Sequence, residues 1–219
     1  MNKLRCYKNK FDSKDLLIRD SRALLHDYYV EHYGWNIPSE SPSGLKVKVL
    51  NKKKILTDFY DQHSIFFSVV NGNNDMVSCA RLCAGDRKNC LEIEKYENAK
   101  RRLQYIFSKK SEFNILEMTR EGIKLNYLND QKPYLLLLYE IFQFCLNGNY
   151  SLLTTTNLIE WENIYKYIGF PKLTNVGFKY FDHEPAEVSV YFALNNQIQK
   201  IFERIKFLLE KHGDENEKF

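Results

Sequence analysis

Residues 114–122 read NILEMTREG. Ile115, Leu116, Met118 and Thr119 suit a buried strand, yet Glu117 stands among them and Arg120 follows three residues later. A lone buried charge is too costly to keep, so Glu117 needs a partner or a hydrogen bond. Residues two apart on a strand share a face, which groups Glu117 with Ile115 and Thr119, and Arg120 with Leu116 and Met118. Arg81, on one strand face with Val77 and Cys79, is the expected partner of Glu117. In such a pair the carboxylate is a candidate general base, working through a water. An exposed position or a purely structural ion pair is the plain alternative. Asp58 and Asp61, three apart at the start of an apolar run, could hold a cationic substrate group. They could equally position Arg81 and the first helix, or mark a simple loop–strand junction.

The elements that must place these groups follow from local pattern. Ser13 and Asp15 open a helix reaching about Tyr33, with Leu16, Leu17, Leu24, Leu25, Tyr28 and Tyr29 near one face. Gly34, Pro38, Pro42 and Gly44 break it. LKVKVL alternates as a short strand, and NKKKIL reads as loop. Two β-rich runs flank NGNND, a hairpin turn rich in residues that tolerate positive φ. Residues 91–110 read as helical or loop-helical and the run from Phe113 as a strand. A long apolar helix follows Pro133, then the strand YSLLTTT, a short helix stopped by Gly169, the strand EVSVYFAL and a helical tail from 195. Helix, hairpin, strand, helix, strand, helix, strand predicts one α/β (α+β) domain over residues 1–219: a central mixed sheet flanked by helices. Residues 1–12 are expected as an N-terminal extension, and 195–219 as a C-terminal helix and tail.

The 219 residues are 44% hydrophobic and 15% aromatic, enough for a real core and too apolar for a disordered chain. The fifteen Tyr and fifteen Phe fit core filling, with an apolar pocket as the functional alternative. A net charge of +4, with Lys and Glu interleaved, does not argue for nucleic acid. The local exception is residues 98–110, NAKRRLQYIFSKK, where Lys100, Arg101 and Arg102 form either a solvated helix face or a landing patch for an acidic partner. The five cysteines have no paired metal spacing and no metal site is expected; free thiols in a reducing cytosol fit them. The N-terminus lacks an apolar leader, and no uncharged stretch reaches membrane-spanning length. The chain is therefore expected in the cytoplasm.

Four features occur in order: HYGWNIP, TDFYDQHSIFFSVV, CARL and EMTR. Together they resemble the acyl-homoserine-lactone (autoinducer) synthases and their relatives, the long-chain N-acyl amino acid synthases. Both have the GNAT-type acyltransferase fold. The resemblance runs from about Leu16 to Ala193. It implies that Trp35 is the tryptophan closing the first helical region, Asp58 and Asp61 the paired aspartates, Arg81 the arginine of the strand after the hairpin, and Glu117 and Arg120 the Glu-x-x-Arg. Tyr29 stands where the family has phenylalanine. The family's arginine four residues before that aromatic is Leu25 here, with Arg22 one turn earlier. The segment between Trp35 and Asp58 is longer than in autoinducer synthases, where this region shapes the S-adenosylmethionine site.

The resemblance implies an N-acyltransferase moving a fatty acyl group from a carrier thioester to the α-amine of an amino acid or of S-adenosylmethionine. Glu117 and Arg81 would be catalytic, and Trp35, Asp58, Asp61, Tyr29, Arg120 and Thr155 substrate-binding. The hydroxyls of Thr154–Thr156 could line an acyl tunnel, although β-propensity explains them equally well. Most CoA-dependent members of this fold carry a Gly-rich loop whose amides cradle the pyrophosphate. Here EGIKLNYLNDQKPYLL follows the EMTR strand, with one glycine and a proline. That favours acyl carrier protein as donor over CoA, with Lys100, Arg101 and Arg102 as its docking patch. No bound cofactor is expected. The rival readings are a CoA-dependent N-acetyltransferase of the same fold and a non-catalytic lipid- or protein-binding descendant.

Overall fold

The computed structural model describes residues 3–84, 90–180 and 187–214. The chain opens with strand β1 (Arg5–Lys10), helix α1 (Leu16–His26) and a one-turn π-helical segment (Asp27–His32). Strands β2 (Lys46–Leu50), β3 (Lys53–Thr57), β4 (Ser64–Val70) and β5 (Met76–Ala84) follow. Three short helices come next: α2 (Glu97–Arg102), α3 (Gln104–Ser108) and α4 (Lys110–Phe113). Strand β6 (Ile115–Ile123) leads to α5 (Gln131–Asn147) and β7 (Ser151–Thr156). Helix α6 (Ile159–Ile168), strand β8 (Ser189–Ala193) and helix α7 (Asn195–Asp214) complete it. The expected mixed α/β sheet with helices is what forms, in strand order β1-β4-β5-β6-β7-β8, with β2 and β3 as a separate pair.

The chain divides into two compact units, residues 1–83 with 119–137, and residues 84–118 with 138–219. Strand β6 supplies its C-terminal half to the first and its N-terminal half to the second.

In the first unit, β1 pairs antiparallel with β4, and β4 with β5. The expected N-terminal extension is thus partly a strand. The β4–β5 turn closes as its composition predicts: Asn71 Oδ1 accepts from the amides of Asn73 (2.9 Å) and Asp75 (3.0 Å), and Asn74 takes φ +63°. Helix α1 begins where Asp15 accepts from the amide of Leu17 (2.8 Å). It packs against β3 and β4, burying Ile18, Leu24 and Leu25. The tract NKKKIL, expected as loop, is instead mostly strand β3, paired antiparallel with β2.

In the second unit, β6 runs parallel to β7, with Glu117 opposite Leu153, and β7 runs antiparallel to β8. Helix α6 ends at Gly169 with φ +76°, a left-handed cap that glycine adopts freely. One apolar cluster joins Leu91, Ile93, Leu103, Ile115, Leu153 and Phe192. The run from 91 to 110 is helical but interrupted. Residues 215–219 of the expected tail lie outside the described residues.

Candidate functional site

A buried ionic cluster lies in the first unit. Arg81 on β5 has no exposed side-chain surface, and its Nη1 donates to Asp58 Oδ1 (2.6 Å) and Asp61 Oδ1 (2.8 Å). Its Nε donates to Thr119 Oγ1 at 3.2 Å. Arg120 reaches the other oxygen of Asp58 through Nε (3.2 Å) and Nη2 (2.9 Å). From α1, Arg22 donates Nε to the Leu56 carbonyl (3.0 Å) and sets Nη2 3.2 Å from Asp61 Oδ2. Three guanidinium groups thus enclose two carboxylates. The backbone amide of Tyr60 donates to Asp58 Oδ1 (2.8 Å) and that of Asp58 approaches Asp61 Oδ2 (3.4 Å), so all four carboxylate oxygens have protein donors. Burial alone raises the Asp58 carboxyl, but Arg81 and Arg120 outweigh it and hold that group well below the usual carboxylate range.

Simple alternation separates Thr119 from Arg120, yet both reach this cluster. Arg120 takes φ +57°, a left-handed conformation that breaks the pleat and turns its side chain toward Asp58. The expected opposition of the two faces therefore fails at this residue. Arg22, one turn before Leu25, fulfils the ionic contact with Asp61 that Leu25 cannot make.

Tyr29 and Trp35 come together through the π-helical widening after α1. The Tyr33 amide donates five residues back to Tyr28 O (3.2 Å), and the Trp35 amide donates to Tyr29 O (2.9 Å). Their rings lie 4.3 Å apart between centroids, and the Tyr29 hydroxyl donates to the carbonyl of Glu121 at 2.7 Å.

A cavity of about 1010 Å³ opens in the same unit, with Arg22, Asp58 and Asp61 in its wall. The β2–β3 hairpin contributes Lys46 and Lys48, and Phe59 lines another part. These three were not singled out in the sequence: the pairing of LKVKVL with NKKKIL, read as loop, was not recognised, and Phe59 was quoted only within TDFYDQHSIFFSVV.

In the second unit, the Glu117 carboxylate is 2% exposed and accepts from the backbone amide of Ile93, at 3.2 and 3.4 Å to its two oxygens. Thr155 on β7 is hydrogen-bonded to the Tyr180 hydroxyl, whose ring meets Tyr96 edge-on at 4.6 Å. Burial, with the nearby charges of Glu117 and Glu92, pushes the Tyr180 phenol well above its ordinary value, against a lowering by Thr155. Tyr180 therefore stays protonated. Ile93, Tyr96 and Tyr180 were missed by sequence reading, since only the fold brings the backbone amide of 93 and the ring of 180 to this strand.

Lys100, Arg101 and Arg102 are all exposed on or beside α2. Lys100 lies 3.9 Å from Glu97, Arg101 donates to Asn98, and Arg102 has no ion pair among the described residues. Among the described residues no group of His, Cys, Asp and Glu could hold a metal ion. None of the described helices is long and apolar enough to cross a membrane.

No protein-family model matches this sequence, and no curated protein does. Solved structures do. FeeM, an N-acyl amino acid synthase from uncultured soil microbes, aligns at TM-score 0.60 with 13% identity, over 94% of this chain and 99% of that one. MesI, a CoA-dependent acyl-homoserine lactone synthase, aligns at 0.58 with 13% identity, over 94% and 95%. TofI, solved with an inhibitor and MTA, aligns at 0.55 with 14% identity, over 91% and 96%. At these identities the likeness establishes the fold, which is the GNAT-type acyltransferase fold of these synthases.

Proposed function

We propose that the protein is an N-acyltransferase that moves a fatty acyl group from an acyl carrier protein thioester to the α-amine of a small acceptor, an amino acid in preference to S-adenosylmethionine. The observation that carries this is the buried Arg22–Asp61–Arg81–Asp58–Arg120 cluster, of which Arg22, Asp58 and Asp61 line a cavity, in a chain with the fold of FeeM and the acyl-homoserine lactone synthases. A network that buries five charges gains little stability over apolar packing. Its value is in fixing side chains, and here it ties α1, the 58–61 turn, β5 and the end of β6 to one another.

In this reading the acceptor amine must lose a proton before its nitrogen attacks the thioester carbonyl carbon. Glu117 takes that proton through a water. The tetrahedral carbon then expels the donor's thiolate, the C–S bond breaking as the amide C–N bond persists, and the thiolate takes up the second proton shed by the attacking nitrogen. Asp58 and Asp61 are positioning groups, since their oxygens are already engaged. Thr155 and Tyr180 present protonated hydroxyls beside the apolar cluster of the second unit, where an acyl chain is expected. Helix α5 supports the choice of donor. No glycine-rich loop precedes it, and the Asp130 carboxylate accepts the Lys132 amide at 2.9 Å, placing negative charge where a pyrophosphate would need donors. The cytoplasm, with carrier-protein thioesters and conditions that keep five cysteines reduced, is the compartment that suits the reaction.

The test is mass spectrometry of products from purified protein given decanoyl carrier protein or decanoyl-CoA with a mixture of amino acids and S-adenosylmethionine. An N-decanoyl amino acid is expected. Glu117→Gln should lower kcat by about 10²–10⁴ with little change in KM, the range for loss of a general base. Absence of any N-acyl product with either donor overturns the proposal. Undiminished turnover in Glu117→Gln removes Glu117 from it.

A further inference from the structure

The segment between Trp35 and Asp58 is more than a linker. It folds into the β2–β3 hairpin and forms one wall of the cavity of about 1010 Å³. Of its five lysines, Lys52 sits in the hairpin turn and the other four behave differently. Lys53 is paired with Asp20 and Lys54 with Glu31, both at 3.1 Å, and neither lines the cavity. Lys46 and Lys48 do line it, and neither side chain has a hydrogen bond or ion pair among the described residues. The carboxylates nearest at hand cannot neutralise them. Asp58 and Asp61 are saturated by arginines and backbone amides, leaving Asp12 as the remaining carboxylate of the lining. The cavity therefore offers two unpaired ammonium groups against one exposed carboxylate, Asp12, whose Oδ1 accepts from the Lys14 amide at 2.9 Å.

The opposite requirement is met by Phe59. Its side chain is 68% exposed, yet it is held in place: a Cβ on Gly44, at φ +70°, would come within 2.4 Å of the Phe59 ring, and the Phe59 amide donates to the Ser43 carbonyl at 3.1 Å. Glycine at 44 seats an aromatic face that stays open to solvent.

We propose that Lys46 and Lys48 bind the carboxylate of the acceptor, and that Phe59 receives its side chain, so that the acceptor is a free amino acid with an apolar or aromatic side chain. This rests on the N-acyltransferase reading and adds the residues that select the acceptor. A sulfonium-bearing acceptor brings an extra positive charge into a cavity already carrying two unpaired ones, whereas a zwitterionic amino acid brings a carboxylate and no net charge.

The experiment compares leucine and phenylalanine with leucinamide and phenylalaninamide, using decanoyl carrier protein as donor. Charge-assisted hydrogen bonds to one carboxylate are worth about tenfold or more in kcat/KM, so the unaltered protein should favour the acids over the amides by roughly that factor. The double variant Lys46→Gln/Lys48→Gln should reduce the preference to within about threefold, by loss of rate with the acids, with the donor KM unchanged. The control Lys53→Gln/Lys54→Gln should keep the preference. Retention of the full acid preference by the Lys46/Lys48 variant overturns the inference, as does a rise in donor KM with the preference intact, which would assign the lysines to the donor's phosphate. If the unaltered protein transfers to no acceptor, the function proposal falls, and thermal shift decides the cavity by itself. Leucine stabilising more than leucinamide, with the difference lost in the double variant, supports carboxylate binding; equal shifts overturn it. Both lysines are exposed, so the substitutions leave the fold intact.

Discussion

At the scale of single residues, the strongest constraint on this protein is the arginine held between two aspartates. Asp58 carries a sign that can be worked out. Its carboxyl is depressed in the folded state because Arg81 and Arg120 outweigh burial. Such a group contributes stability that is complete above its unfolded value, about 3.9, and that is lost as pH falls through the folded one. The gap in urea midpoint between the unaltered protein and Asp58→Asn should therefore be constant above about pH 5 and should narrow on further acidification. At neutral pH the substitution should cost about 3–5 kcal/mol, because it removes one of the carboxylates paired with the buried Arg81. A gap that widens toward acid contradicts this account. The sequence carried part of this site openly. Asp58, Asp61, Arg81 and Arg120 were all recognisable as chemistry-bearing residues, and positioning of Arg81 and the first helix was one of the roles open to the aspartates. What it did not carry was geometry. Two-residue alternation says which face a side chain takes only while the pleat is regular, and the left-handed backbone at Arg120 ends that regularity without any glycine to announce it.

At the scale of elements, the hairpin β2–β3 shows both why local reading fails and how it can be tested. Strand β3 begins in a lysine run, which lowers any estimate of strand, and only Ile55, Leu56 and Thr57 are buried by α1 and its surroundings. The overlooked signal is the turn. Two residues, Asn51 (φ +51°) and Lys52 (φ +65°), join Leu50 to Lys53, which is the geometry of a type I′ hairpin turn. Asparagine tolerates that conformation, and lysine does not. Lys52→Gly should relieve a left-handed penalty of about 1 kcal/mol, partly offset by glycine's greater freedom when unfolded. The thermal midpoint should rise by about 1–3 °C, and Asn51→Gly should change it less. A fall in midpoint on Lys52→Gly would show that the turn is not what fixes this hairpin. The strong elements, by contrast, were readable because several signals coincide in each: the β4–β5 pair has β-rich flanks and an asparagine turn, and α6 has an amphipathic run closed by Gly169. The π-helical segment was unreadable for the opposite reason. DYYVEH continues a helical pattern, and one extra residue per turn leaves no mark in composition.

At the scale of the whole molecule, the distribution of thiols and of charge has consequences that no single element shows. Cys79, Cys83 and Cys145 are buried, and burial pushes the thiols of Cys79 and Cys145 up to about 12, with the Glu121 charge adding to the rise at Cys79. Nucleophilic attack needs the thiolate, whose fraction at pH 8 is then about 10⁻⁴. A thiol-reactive dye should therefore label Cys6 and Cys90, which are half-buried, well before the other three, and all five should react in denaturant. Five equally fast sites in the folded protein would mean that the core opens freely.

The charge of +4 is modest, so any electrostatic selection of a protein partner must come from its local arrangement. The best arrangement for that purpose is the exposed stretch of Lys100, Arg101 and Arg102 beside a hollow of about 490 Å³ that Lys100 and Phe107 help to line. Glu94 and Glu97 in the same lining offset part of its charge, and Lys100 is already within 3.9 Å of Glu97. Arg101 and Arg102 should consequently matter more than Lys100. Reversal of both to Glu should raise KM for an acidic acyl carrier protein donor by about tenfold at low salt. The gap between the variant and the unaltered protein should shrink as ionic strength rises and the Debye length falls below about 10 Å. The KM for decanoyl-CoA, a small donor that needs no protein docking surface, should move little. Equal effects on both donors would place these residues in acyl-chain or CoA binding, and no effect on either would remove them from the donor side of the reaction.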